Sequence, residues 1–283
     1  MIRSFISGLV LALALPIAIA RAASDEVVIA SGRRGGTYHD IYGANLVVAL
    51  PAFKARQRTT DGSGENLDLL ARGRADIGFA QLDVYAALLR GDRARYEKLG
   101  VIGRLDDECV FVAHRRQGPI HGADSLKAMV DGRKPVLAVG ENSGGMHLSW
   151  LFIVELDPAY DATAIRFTPG TLAINHLATG MVDAVAWITD PANPNHKLQR
   201  AVRADASLGL MGLADPGLAH ALPNGTPVYE LRTLSLPNET EPGTLDTICT
   251  SSMIFTRSGA DPKLVEAVSD VLSLEREKLL GRR

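Results

Sequence analysis

Short apolar runs alternate with helix-period segments along most of this chain, and twice the junction between them is a glycine-rich loop. Residues 27–30 (Val-Val-Ile-Ala) lead into the loop at 32–36, after which Ile41, Ala44, Leu46, Val47, Val48 and Leu50 supply an apolar helical face that Pro51 stops. The same layout returns where residues 135–139 lead into the loop at 140–145 and then into Leu148, Leu151, Phe152 and Val154. Strands alternating with helices of this length predict an α/β fold of βαβ units, with mainly parallel sheets covered on both faces. The repeated layout predicts two similar lobes rather than one continuous sheet.

Between and beyond these units the alternation continues. Residues 58–60 look extended, and Leu67, Leu69, Leu70 and Ala71 mark a helix. Residues 76–80 read as a buried strand feeding a helix at 82–89, and 101–105 and 109–113 read as consecutive strands. Asp124 is placed to cap a helix through Leu126, Met129 and Val130; Thr171 starts another that runs to Thr179. Strands are expected at 165–167, 183–188 and 248–256, with only short strand signals across the Pro-, Gly- and Asn-rich stretch 216–242. Asp261-Pro262 opens a final helix bearing Leu264, Val265, Val268, Val271 and Leu272.

The first residues set the expected compartment. Arg3 precedes an uncharged apolar run over 5–20, and Ala20-Arg21-Ala22 supplies small residues at alternate positions. This reads as a signal peptide over 1–22, cleaved near Ala22, with an uncleaved anchor as the alternative. No Cys follows the apolar run, so a lipoprotein anchor is not expected, and the mature protein is expected in the periplasm. Charge is nearly balanced, 30 Lys and Arg against 32 Asp and Glu, with no basic cluster interleaved with aromatics, which argues against nucleic acid as a partner. Cys109 and Cys249 form no CxxC or Cys/His spacing, and the seven histidines show no recognised ligand spacing, so neither metal nor cofactor is expected.

Three loop-to-helix junctions can present free N–H groups to an anion: Gly36-Thr37-Tyr38, Ser63-Gly64-Glu65-Asn66 and Ser143-Gly144-Gly145. In a parallel sheet they emerge at the carboxyl ends of strands, where open α/β folds bind ligands. Ordinary turn-and-cap residues are the alternative for each, and Asp83 reads equally as a helix cap. Arg33 and Arg34 flank the first loop and can pair an anion, or lie in solvent. Trp187 can wall the cleft or pack in the core, and His147 stands one turn into a helix beside a proposed loop. An enzyme is not expected. Asn142 occupies the nucleophile position of a G-x-S-x-G elbow, no Walker lysine follows either loop, and 32–36 lacks the dinucleotide fingerprint.

Several of these stretches, in order, resemble the TAXI family, the solute-binding subunits of one class of TRAP transporter. Gly35-Gly36-Thr37-Tyr38 resembles its first signature, and Thr60-Asp61-Gly62-Ser63-Gly64-Glu65-Asn66-Leu67 its T-x-G-S-x-E-N element. The stretch 73–83 resembles G-x-A-D-x-G-x-x-Q-x-D, 139–144 a glycine-serine loop, Gly180-Met181-Val182-Asp183-Ala184 a G-x-x-D-A element, and 247–257 with Leu264-Val265 the last strand and helix. The second loop departs from the family, reading Glu-Asn-Ser-Gly-Gly. The resemblance implies a two-lobed periplasmic-binding-protein-like fold. Its first lobe would hold 23–113 and 247–283 and its second 114–246, with a hinge near 112–116 and 245–250. It implies capture of a small carboxylate-bearing ligand, a dicarboxylate or an amino acid, and delivery to a TRAP-type permease. A sensor protein docking on a membrane kinase is the alternative, and a secreted hydrolase is a weaker one. Ligand contacts are then expected from Gly36, Thr37, Tyr38, Ser63, Gly64, Asn66, Gln81, Asp83, Ser143, Gly144 and Trp187. In folds of this kind the outgoing and returning strands run side by side, which would let Cys109 pair with Cys249; two buried thiols are the alternative.

Overall fold

The computed structural model describes residues 26–193, 196–236 and 243–282; the segment 1–22 with its cleavage point near Ala22 lies outside the described residues. The chain opens with β1 (Glu26–Gly32), whose residues after Glu26 are all buried. A single π-helical turn over Tyr38–Gly43 runs into α1 (Ala44–Ala49), followed by β2 (Lys54–Thr59), α2 (Ser63–Ala71), β3 (Ile77–Gln81), α3 (Leu82–Gly91) and the one-turn α4 (Arg93–Tyr96). Strand β1 lies between β2 and β3 in parallel, and every residue of β3 is buried, as a central strand covered on both faces requires.

Next comes β4 (Gly100–Arg115), which carries the chain into the second lobe. There the order is β5 (Val136–Ala138), α5 (Gly145–Leu156), β6 (Ala164–Arg166), α6 (Leu172–Ala178), β7 (Ala184–Thr189), α7 (Lys197–Arg203), β8 (Leu208–Gly212), β9 (His220–Ala221) and β10 (Pro227–Leu236). The chain returns along β11 (Gly243–Thr256) and ends in α8 (Pro262–Leu274) and α9 (Arg276–Leu279). Asp261 caps α8 by accepting from the Lys263 N–H, with Pro262 in the first turn. No described helix is long and apolar enough to cross a membrane.

The strands join in the order β2-β1-β3-β11-β4-β7-β5-β6, so one curled sheet passes through both lobes. The expectation of mainly parallel pairing holds only in its two wings. The strands that traverse the lobes, β4 and β11, are antiparallel to each other and to their neighbours β3, β7, β8 and β10. A chain that leaves one lobe and comes back must cross the waist in opposite directions, which fixes this antiparallel centre.

Local expectations fail in identifiable places. The two strands expected at 101–105 and 109–113 are one. Asp106, Asp107 and Glu108 do not break it, because Arg282 pairs with Asp106 and Arg232 with Asp107, both brought in by the tertiary fold. The helix expected after Asp124 is a single 3₁₀ turn, Ala123–Leu126. The stretch 216–242 contains the ten-residue β10, held in register against β11.

Strand β4 pairs with β11 from Gly100 to Cys109, then lies beside β7 and β8. At that change of partners Cys109 faces Cys249 in register, and the two form a disulfide with their Cα atoms 3.9 Å apart. The bond links residues 140 apart in sequence and ties the crossing strands together at the waist. The lobes also meet away from it. Ala86 of α3 joins the core built around Trp150, Phe152, Tyr160 and Tyr229, and Arg90 pairs with Glu155 of α5 at 2.8 Å.

Candidate functional site

Where the glycine loops of the two lobes approach each other, a cleft of about 550 Å³ opens, within the range of small-molecule sites. Helices α2 and α5 both begin at it, one from each lobe. Gly62 precedes α2 with φ of 125°, a conformation that L residues rarely adopt, and a Cβ there would stand 3.9 Å from the Gly145 nitrogen. Gly145 itself has no room for a side chain, since a Cβ would lie 2.2 Å from Gln81 Oε1. These glycines let the two helix starts and the Gln81 amide crowd into one space.

Polar side chains in this cleft lack internal partners. Arg33 Nε, Tyr38 Oη, Gln81 Nε2, Trp187 Nε1 and His196 Nδ1 are each buried without a hydrogen bond, and all five residues line it. Gln81 is 2 % exposed and Trp187 5 %. Buried polar groups in a folded protein are nearly always satisfied, so a concentration of open ones marks a place prepared for something else. Most are donors, which suits an acceptor-rich ligand.

Glu108 forms the opposite element. It lies on β4 immediately before Cys109, is 8 % exposed, and reaches the cleft. Burial pushes its carboxyl up to about 8, helped by the nearby Asp83 and Asp190 charges and opposed by Tyr38 and Gln81. The Tyr38 hydroxyl and the Gln81 amide point toward it, yet neither completes a hydrogen bond of ordinary geometry. The Tyr38 hydroxyl is itself held well above its usual range, chiefly by burial and then by the Glu108 charge. Trp187 stands between Phe111 and His196, stacked at centroid distances of 5.9 and 6.0 Å. Burial lowers the His196 ring to about 4, so it is neutral at physiological pH.

Of the residues singled out from sequence, Gly36, Thr37, Tyr38, Ser63, Gln81, Gly144 and Trp187 line the cleft. Ser63 Oγ accepts from the Gln81 N–H at 3.2 Å and so ties the start of α2 to the end of β3. Gly64 lies behind the lining, where its missing side chain makes room for Leu148 of α5. Asn66 is fully buried and braces the loop, accepting from Thr60 and donating to the Phe79 carbonyl at 2.7 Å. Asp83 turns away from the cleft. Its Oδ2 accepts from the Tyr229 hydroxyl at 2.7 Å across the lobe contact, and its Oδ1 from the Val84 N–H at 2.8 Å. Ser143 is exposed, with φ of 61°, and donates its N–H to His147 Nδ1 at 3.0 Å, so His147 closes that turn.

The first of the three expected helix N-termini is also absent. Thr37 makes no side-chain cap, and the chain there winds into the wide π turn instead of an α-helical start. Arg33 spans the cleft mouth, pairing with Asp61 at 2.9 Å and with Glu141 of the other lobe, while Arg34 is exposed. Sequence reasoning missed Glu108, Glu141, His196 and Lys197, all of which line the cleft. Gly145, the last residue of the third junction expected to face an anion, does line the cleft. Glu108 carried no local signal, since its setting is made by Tyr38 and Gln81.

No curated protein sequence matches the chain. Among solved structures, XAC2383 from Xanthomonas citri, bound to ATP, is similar with a TM-score of 0.54 at 15 % identity, covering 91 % of this chain and 87 % of that one. The GluR0 ligand-binding core from Nostoc punctiforme, in complex with L-glutamate, is similar with a TM-score of 0.53 at 12 % identity, covering 90 % and 96 %. YhfZ from Shigella flexneri gives 0.51 at 13 % identity, covering 92 % of each chain. At such identities the likeness establishes the architecture, a two-lobed periplasmic-binding-protein fold. The profile of the NMT1-like family matches residues 29–275, and the chain belongs to that family.

Proposed function

We propose that this protein is a non-enzymatic, exported solute-binding protein that closes its lobes around a small carboxylate-bearing molecule and presents it to a TRAP-type membrane permease. The observation that carries this reading is the set of buried donors left without partners in the cleft, at Arg33, Tyr38, Gln81 and Trp187, beside the starts of α2 and α5. Helix starts offer free N–H groups and a partial positive charge, to which a carboxylate adds the missing acceptors. A ligand touching both lobes stabilises the closed arrangement relative to an open one by its differential contacts. The contacts are assigned to Gly36, Thr37, Tyr38, Ser63, Gln81, Gly144 and Trp187. The permease partner and periplasmic location rest on the TAXI-like motifs and the leader sequence. The lobe boundaries fall at the waist, where β4 and β11 cross.

Mass spectrometry of small molecules released from natively purified protein, with a thermal-shift screen of carboxylates, amino acids and neutral sugars, tests this. A bound ligand at 100 times its dissociation constant adds about 2.7 kcal/mol of stability. Carboxylates and amino acids should raise the melting temperature; a response to sugars alone would overturn the reading.

A further inference from the structure

The charges of the cleft do not match a doubly anionic ligand. Its lining carries the carboxyls of Asp40, Asp61, Glu108 and Glu141 against the cations Arg33 and Lys197. Arg33 is already engaged by Asp61 and Glu141. Asp40 accepts from the Gly35 N–H. Glu108 has no cationic partner among the described residues, although it is more than nine-tenths buried and faces the cleft. Taking a carboxylate out of water is costly unless a cation or several donors meet it. An occupant carrying a cation would supply what is missing.

We propose that Glu108 is the specificity residue of the cleft: it receives the protonated amine of an amino acid whose carboxylate lies at the starts of α2 and α5. This rests on the carboxylate-binding reading and narrows it to amino acids, against dicarboxylates.

One side chain connects Glu108 with the two helix starts. The Gln81 amide joins the pieces: its oxygen lies against Gly145 at the start of α5, Ser63 at the start of α2 bonds its backbone, and its amide nitrogen points toward Glu108. Carboxylate and amine of an α-amino acid are separated by only a single carbon, so one molecule can meet both ends of this short span.

Binding is then linked to a proton. The groups facing Glu108 are the Tyr38 and Tyr42 hydroxyls from the π turn, Gln81 at the end of β3, Asp83 of α3 and Asp190 after β7, with Thr250 opposite it on β11. None is a cation; Arg282 stands behind Asp190, paired with it at 3.0 Å, and the neutral His196 adds no charge. At pH 7 the free protein holds a proton on Glu108. An arriving ammonium favours the carboxylate, so that proton passes to solvent as the pair forms. Affinity for an amino acid rises with pH up to about 8, until the ligand's own amine begins to deprotonate.

The test is calorimetric titration of the full mature protein with matched pairs: L-alanine and propionate, L-leucine and 4-methylpentanoate, L-glutamate and glutarate. Wild type should prefer the amino acid of the best-binding pair by about a hundredfold or more, because the amine-free acid leaves Glu108 unpaired. In Glu108→Gln that ratio should fall to within about tenfold, since a neutral amide cannot replace the ion pair. Repeating the wild-type titration at pH 7 in buffers of different ionisation enthalpy should show proton release with the amino acid, a readout that needs no variant to fold. An unchanged ratio in Glu108→Gln, equal binding of both members of a pair, or no proton release overturns the role of Glu108 and leaves the carboxylate reading standing. A panel in which nothing binds, with only sugars shifting the melting temperature, removes both.

Discussion

Asp83 and Glu108 are both carboxyls taken out of water, and burial raises both, but they stand in different company. Asp83 lies where α3 of the first lobe meets α5 and β10 of the second, with Tyr229 and Val84 donating to its oxygens. Glu108 lies on the crossing strand at the cleft, facing a phenol and an amide that remain unbonded. The first is a polar contact finished at both carboxylate oxygens, with only the neighbouring Ser149 Oγ left open, and the second is unfinished, its facing donors all open. Burial alone does not separate structure from binding in this molecule. Completeness of partners does, because an unsatisfied buried group costs folding free energy that a ligand can return.

The largest expected effect sharpens the contrast by removing what holds Glu108 in place. Its neighbour Cys109 is fully buried and bonded to Cys249. Replacing both cysteines by Ala releases a loop of 140 residues, for which chain entropy gives a loss of about 5 kcal/mol at most. Urea denaturation of the oxidised wild type and the double variant measures it. An unchanged midpoint would mean that the bond does not constrain the waist.

Next in size is Asp83→Ala, which strands the Tyr229 hydroxyl inside the lobe contact and should cost about 2–3 kcal/mol in the same assay. Glu108→Gln should cost well under that, since no bonded partner is orphaned. Equal losses would break the distinction between the two carboxyls.

A pH series probes the same distinction without touching Asp83. The Glu108 carboxyl, ordinarily near 4.5, keeps its proton in the folded chain up to about 8. Between those values the folded state binds more protons than the unfolded one, so this group makes unliganded stability fall as pH rises. His196 works the other way, its ring being lowered from 6.5 to about 4, so its contribution to stability is lost as pH falls through that window. The clean window is therefore pH 6.5 to 8, where Glu108 alone of these two titrates. Wild type should lose at most about 2 kcal/mol across it, and Glu108→Gln should show a shallower slope. Parallel curves for the two proteins would place the Glu108 proton elsewhere.

These residues also show what can be read from a chain and what cannot. The wings of the fold were legible, because β1 and β3 are apolar runs and Gly62 and Gly145 stand where strands give way to helices. The centre was not. Asp106, Asp107 and Glu108 look like a break between strands, and Arg282 and Arg232, both more than 100 residues away, join the local Arg104 in making a continuous β4 acceptable. Asp83 looked like a ligand contact for the same reason. An acid just after a buried strand reads alike whether it meets a ligand or a tyrosine 146 residues further on. Glu108 had no pattern to betray it, since its isolation is a property of the space around it.

The smallest expected effect tests whether an open donor in the cleft behaves as the contrast requires. Trp187 is stacked between Phe111 and His196, and its Nε1 has no partner. Trp187→Phe keeps an aromatic ring in the stack and deletes only the donor, together with part of the indole's bulk. If that N–H serves the ligand, nothing inside the protein is orphaned by its loss, so the unliganded melting temperature should stay nearly where it was. Affinity for the best-binding amino acid should fall about fivefold, the worth of one ordinary hydrogen bond. The opposite pattern, a lowered melting temperature with unchanged affinity, would assign Trp187 to packing. It would move this residue from the unfinished region of the molecule to the finished one.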